Sequence, residues 1–244
     1  FENAATGDGG ALYLGESSTA LWTGSSCFDS NSTYSAGGAL FVVDYSIALF
    51  SEVAIFSENA VTGDGGALYL GTSSSAVWTG TSHFLFNSAQ VDGGAVYAIA
   101  DGNLSWNNNL LFAENTAQSG GAIFVRDGVT ISWSGETNFT SNAARLNGGA
   151  VGSRALDSEL KDITFINNSA GLSGGAIFVA ATGIGPVFRN VIFIENSAEI
   201  GGVVLVSGSG TSVTVDNNKQ VENPTTFDGC TFVGNVAIAT GGAV

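Results

Sequence analysis

Glu136 and Asp162 each stand three residues before a phenylalanine, Phe139 and Phe165, while Lys161 and Arg189 stand four residues before Phe165 and Phe193. Paired carboxylates with bases at hand are what glycan-cleaving chemistry uses, one acid protonating the leaving oxygen while the other serves as base or nucleophile. Neighbouring positions of an extended strand face opposite sides, so acids and bases at this spacing need not converge, and an exposed salt-bridge patch is the plainer expectation. A second acidic pair, Asp64 and Asp92, precedes successive double glycines. Two carboxylates one strand apart fall short of the about six to eight oxygens that calcium takes, unless turn carbonyls join them. Asp64 and Asp92 are therefore weak candidate ligands for calcium, and no other cofactor is expected. His83 is the single histidine, so a histidine metal site or a Ser/His/Asp triad has one available centre. "TGDGG" contains fragments of the calcium-binding nonapeptide repeat without its spacing, and no phosphate-binding loop with its lysine occurs.

These residues recur in columns because the chain is periodic. Residues 2–26 and 58–82 are near copies, and paired glycines fall at 9, 37, 65, 93, 120, 148, 174, 201 and 241. A repeat of about 28 residues follows. Each unit also carries Phe-x-x-Asn upstream of its glycines: Phe28/Asn31, Phe56/Asn59, Phe84/Asn87, Phe112/Asn115, Phe139/Asn142, Phe165/Asn168, Phe193/Asn196 and Phe232/Asn235. Asn3 fills the slot in the first unit. An asparagine present in every coil can bond, amide to amide, with those above and below, and it tolerates the left-handed backbone of a sharp turn. The Phe and Asn columns read as a structural ladder, since catalysis does not need nine copies.

The units are rich in Gly, Ser, Thr, Val and Phe in short alternating runs, which favours strands over helices. Three are expected per unit: Ala122 to Val125, Thr130 to Ser134 and Thr137 to Phe139 are typical. Stacked in tandem they make an all-β fold, a single-stranded parallel β-helix of 27–28 residues and three strands per coil, with eight full coils and the start of a ninth. One column is always aliphatic: Leu12, Leu40, Leu68, Val96, Ile123, Val151, Ile177, Val204 and Val244. Alternation places it in the core and turns the alanine before it and the aromatic after it (Tyr13, Phe41, Tyr69, Tyr97, Phe124, Phe178) outward, as a stripe available for contact. The reverse assignment stays open, because tyrosine and alanine also occur in cores. Another column, Trp22, Phe50, Trp78, Trp106 and Trp133, lies six residues before each Phe and reads either as a packing ladder or as a carbohydrate-binding ridge. Two units depart from the rule. The sixth ends its strand in Gly152-Ser153-Arg154 and is two residues short, which predicts an irregular coil; the eighth has about 11 extra residues, an inserted loop within 207–231, where a partner is most naturally sought.

Six Lys and Arg against 21 Asp and Glu give a net charge of −15, which makes nucleic acid an improbable partner. Residues 1–125 carry no Lys or Arg. Cys27 and Cys230 would lie seven coils apart and cannot bond to each other. No run of 18 apolar residues offers a membrane span. Glycosylation sequons stand at Asn31, Asn103, Asn138 and Asn167. Asn31 belongs to the ladder and should be inaccessible, which leaves Asn103, in a polar turn, with Asn138 and Asn167 as candidates.

Phe-x-x-Asn followed by Gly-Gly-Ala-(Ile/Leu/Val), in that order through nearly the whole chain, resembles the repeats of the chlamydial polymorphic outer membrane proteins. The resemblance implies a β-helical passenger of an autotransporter-type surface protein, an extracellular or cell-surface location and an adhesive role toward glycans or other cell-surface ligands. The chain departs from that family in its very low lysine content and in lacking a translocator barrel. It begins inside a Phe-x-x-Asn and stops inside a Gly-Gly-Ala-Val, and open solenoid ends are unpaired strand edges. One continuous segment over residues 1–244 is therefore expected to be part of a longer chain, its ends covered by flanking domains or by end-to-end self-association. A structural or adhesive segment is the leading expectation, and a polysaccharide-active β-helix lyase, hydrolase or epimerase is the alternative.

Overall fold

The computed structural model describes residues 3–156, 158–180, 186–207, 212–215 and 224–241. Among these no helix occurs and every strand pair is parallel, each strand lying beside its counterpart in the next repeat except Ser212–Val215, which pairs with Pro224–Asp228. The result is a β-solenoid. Nine strands stack in the sheet that follows the asparagines, eight in the sheet that follows the double glycines and eight in the sheet that carries the phenylalanines. The remaining side is divided into a five-stranded and a four-stranded sheet.

Each coil thus has four short strands instead of the expected three. Ile123–Val125, Thr130–Trp133 and Thr137–Thr140 correspond to the expected set, and strands such as Ala60–Val61 and Thr116–Ser119 add the fourth. These start where a backbone N–H reaches the asparagine carbonyl of the preceding coil, as Ala60 does to Asn31 at 2.9 Å and Ser88 to Asn59 at 2.8 Å. Two or three residues are too few for an alternating pattern to register in a sequence.

The double glycine makes a corner, and its two members do different work. The first has φ near +70° (Gly9 +71°, Gly65 +71°, Gly93 +67°), a region costly for side-chain-bearing residues. The second is squeezed between coils: a Cβ on Gly94 would lie 2.0 Å from the carbonyl oxygen of Gly121. Immediately after, Ala67 and Leu68 both donate their N–H to the one carbonyl of Ala95, each at 2.9 Å. Sharing an acceptor bends the chain and suspends strand alternation. Consequently Ala39, Ala67, Ala95, Ala122, Ala150 and Ala176 point into the core beside the aliphatic column, contrary to the outward placement expected for them. Leu40, Leu68, Val96, Ile123, Val151, Ile177 and Val204 are buried in that core, whereas Val244 lies outside the described residues.

At the opposite corner the asparagine amides bond from coil to coil. Asn87 donates its backbone N–H and its Nδ2 to Oδ1 of Asn115, both at 3.0 Å, and its Nδ2 also donates to the Phe56 carbonyl at 2.9 Å. The same three bonds recur for Asn59, Asn115, Asn142, Asn168 and Asn196, and Asn3 and Asn31 extend the amide chain. Asn235 is the last described member. Its Oδ1 accepts the backbone N–H and Nδ2 of Asn196 at 2.9 and 3.0 Å, and its Nδ2 donates to the Phe193 carbonyl at 3.0 Å. It departs from the buried setting expected of the ladder: Asn31 through Asn196 are buried, whereas Asn235 is half-buried and Asn3 exposed, because each has a described coil on one side only.

The left-handed residue at this corner is not the asparagine. It is the one before it, Ser30, Glu58, Phe86, Glu114, Ser141, Asn167 and Glu195, with φ between 54° and 56°, and before Asn235 it is Gly234 at +64°. The expectation fails because an asparagine busy with ladder bonds has to keep the extended backbone that aims them.

Two aromatic ladders fill the interior. Phe28, Phe56, Phe84, Phe112, Phe139, Phe165, Phe193 and Phe232 stack with centroids 4.7 to 5.2 Å apart, close to the strand spacing. Trp22, Phe50, Trp78, Trp106 and Trp133 stack at 4.4 to 5.4 Å and meet the phenylalanines edge-on. Phe50, Trp78 and Trp106 are buried, so this column is a packing ladder and no ridge. After Trp133 the phase changes. The inward residue moves from six to five positions before the Phe: Leu160, Phe188 and Phe227 take over the interior, and the turn between becomes tight, with positive φ at Asp162, Asn190 and Gly229. A one-residue slip reverses which side each residue faces, so Thr130–Trp133 ends one sheet and Glu159–Lys161 begins another without a ladder between them. The irregularity expected around Gly152-Ser153 is therefore displaced: Val151–Ser153 is an ordinary strand paired on both sides, and the two missing residues act further along the coil.

Candidate functional site

The phase change opens a cleft. Trp133, Ser134, Gly135 and Glu136 of the longer turn form one lip, and Lys161 and Asp162 of the tight turn form the other, around a cavity of about 590 Å³. Glu136 and Asp162 remain in equivalent positions, since Thr137 pairs with Ile163 just after them. Lys161 joins them although neighbouring strand positions face opposite sides, because the tight turn rotates the chain there. Its Nζ lies 3.8 Å from Oδ2 of Asp162, with both side chains more than half exposed. Oε1 of Glu136 accepts from Nδ2 of Asn138 at 3.3 Å, and Oδ1 of Asp162 accepts from Nδ2 of Asn190 at 3.2 Å. Arg189 does not reach this cleft; it is held between Glu159 at 2.5 Å and Asp228 at 3.0 Å in a surface ion-pair network. Trp133, read from the sequence only as a member of its aromatic column, contributes a wall beside these acids. One face stacks on Trp106 at 5.4 Å, an edge meets Phe139, and among the described residues no ring covers the other face. The signal was present in the 26-residue step from Phe139 to Phe165 and in the loss of the aromatic six places before Phe165.

The second acidic pair lies on the outside of the glycine-corner sheet. Oδ1 of Asp64 accepts the backbone N–H of Asp92 at 3.0 Å, and Asp92 accepts from the backbone of Ser119. Burial pushes the Asp92 carboxyl up to about 6, the charge of Asp64 adding to the rise while Arg154 and Arg126 oppose it. Burial also raises Asp64. Among the described residues no three His, Cys, Asp or Glu side chains gather as metal ligands, and the calcium expectation gains no further donor here. Beside this pair runs the aromatic stripe. Tyr13, Phe41, Tyr69, Tyr97 and Phe124 stack at 4.6 to 5.9 Å, outside the core cluster, as their outward assignment requires. Exposure falls from 54 % at Tyr13 to 6 % at Tyr97 and 7 % at Phe124. Because the rings cover one another's faces, the stripe presents mainly edges and hydroxyls. Burial, reinforced by Tyr97 and nearby carboxylates, pushes the Tyr69 phenol up to about 12. Gly152 stands in this column, and a Cβ there would come within 2.7 Å of the Phe124 ring.

Of the sequons, Asn31 is 2 % exposed within the amide ladder. Asn103 opens the strand Asn103–Trp106, paired on both sides, instead of lying in a turn, and Asn138 is likewise inside the strand Thr137–Thr140. Asn167 is exposed at a left-handed turn position. His83 is half-buried in the strand Ser82–Leu85, between Ile55 and Leu111. Cys27 and Cys230 are both free thiols. Of the inserted segment, Ser212–Val215 pairs with Pro224–Asp228 at the edge of the four-stranded sheet, while 208–211 and 216–223 lie outside the described residues. Among the described residues no helix is long and apolar enough to cross a membrane.

No curated protein and no solved structure matches the chain. The family model of the Chlamydia polymorphic membrane protein repeat matches residues 54–71, 109–126 and 162–180. Each matched segment runs from a Phe-x-x-Asn to the strand after the double glycine, the stretch that holds the amide ladder, the glycine corner and the start of the aliphatic column. The chain is thus a β-solenoid in which three segments match the Chlamydia polymorphic membrane protein repeat.

Proposed function

We propose that the chain is a structural and adhesive segment of an extracellular surface protein, and that it carries out no catalysis. The observation that carries this reading is the joining of membrane-protein repeats to ladders that run from coil to coil. Interactions repeated in every coil hold a surface in place; they do not assemble a reaction centre. The acidic, lysine-poor exterior keeps such a surface soluble and away from polyanions. Neighbouring parts of the same protein, or further copies stacked end to end, complete the solenoid in this reading. The second reading, a polysaccharide-cleaving enzyme, has one specific observation in its favour, the meeting of Glu136, Asp162 and Lys161 in one cleft.

Attachment distinguishes the two. Beads coated with the 244-residue chain are expected to attach to host-type cells, and beads coated with heat-unfolded chain are not. Release of reducing sugar from neutral polysaccharides that is abolished by Asp162→Ala, without bead attachment, would establish the enzyme instead.

A further inference from the structure

We propose that the cleft between Trp133 and Asp162 is a saccharide-binding subsite that takes a neutral pyranose unit. The inference rests on the adhesive reading and names the ligand class for it. Four observations converge. The cleft is where the stacking of this side is interrupted among the described residues, and it is roomier than the recesses of about 300, 500 and 350 Å³ that lie over the other sheets. Its volume of about 590 Å³ falls within the range of small-molecule sites, and a single sugar ring with part of its neighbour fits that space. Trp133 ends its ladder among the described residues, is only half-buried and lines the cleft, and the C–H face of a pyranose packs against such an indole. Around it stand two carboxylates and an ammonium, the charged partners that form the stronger hydrogen bonds with hydroxyls.

Charge selects among sugars. Two carboxylates against one ammonium leave the lining negative on a chain of net charge −15, which opposes uronates, sialic acids and sulfated glycans. The outer Tyr stripe is the less suitable surface, because from Phe41 to Tyr97 its rings stack face to face and leave no open platform between them. Asn138 and Asn190 each donate to one of the two carboxylates, so the acceptors are positioned before a ligand arrives.

The test passes the 244-residue chain over immobilised glucosyl, galactosyl, mannosyl and N-acetylglucosaminyl oligosaccharides, with sialylated and sulfated ones alongside. Retention on at least one neutral glycan and on none of the anionic ones is expected. Trp133→Phe and Glu136→Gln should each weaken it by about tenfold or more. Phe50 already occupies the Trp133 column and Glu136 is exposed, so both variants should keep the unfolding midpoint of the parent chain. Absence of retention on every neutral glycan, a preference for the anionic set, or retention unchanged in both variants would overturn the proposal. If beads bearing the chain attach to cells while the neutral glycans retain nothing, the saccharide site fails and the adhesive reading stands; if neither binds, both fail.

Discussion

Asn115 shows what a single side chain does in this fold. Its Oδ1 accepts the N–H and Nδ2 of Asn87, while its Nδ2 donates to Asn142 and to the Phe84 carbonyl. Asn115→Ala strands those buried groups in two neighbouring coils and should lower stability by about 3 kcal/mol, read from urea midpoints. Asp92 makes a prediction of opposite sense. Its folded carboxyl titrates at about 6, above its ordinary value of 3.8, so the charge it carries at neutral pH works against the fold. Its favourable contribution is complete below about pH 3.8 and is lost as pH rises through about 6. Asp92→Asn keeps an acceptor for the Ser119 N–H and removes the charge. It should stabilise the chain by about 1 kcal/mol at about pH 7.5, a figure reduced for the partial exposure of the group, and by nearly nothing at about pH 4. An equal effect at both pH values would show that the charge is not the cause.

At the scale of the element, the Trp column separates what the residues disclosed from what they did not. Spacing of six before each Phe made the column legible, yet its direction depended on the turn that follows. The same holds for Ala67 and its equivalents: strand alternation places them outside, and the shared Ala95 carbonyl turns them in. Backbone hydrogen-bond sharing leaves no compositional trace in one chain. The cleft was half legible, since Glu136, Asp162 and Lys161 stood out by position, whereas the rotation that unites them and the participation of Trp133 follow from the phase slip. Within the ladder, Nε1 of Trp78, Trp106 and Trp133 is buried without a hydrogen-bond partner. Trp106→Phe removes that unsatisfied donor and keeps a stacked ring, as Phe50 does naturally, and should cost less than about 1.5 kcal/mol. Trp106→Ala leaves a cavity between Trp78 and Trp133 and should cost about 3 to 5 kcal/mol, measured in the same denaturation series.

For the molecule as a whole, the period of about 28 residues was sufficient to predict a parallel solenoid, because a unit with a single apolar strand set buries its core only by stacking on copies of itself. The fourth strand, the divided side and the opening between Trp133 and Lys161 were not readable from the period, since each depends on how consecutive turns fit together. A surface segment made this way is stiff along its axis in every coil that the ladders cross, and the site proposed for ligand sits where one ladder hands over to another. Hydrogen exchange resolved to individual amides tests this most directly. The backbone N–H groups of Asn59, Asn87, Asn115, Asn142 and Asn168, each bonded to the amide oxygen of the next coil, should be among the slowest to exchange and should agree within about one order of magnitude. Fast exchange at these amides, or protection confined to one or two of the five, would contradict a continuous ladder and with it the solenoid on which the functional reading depends.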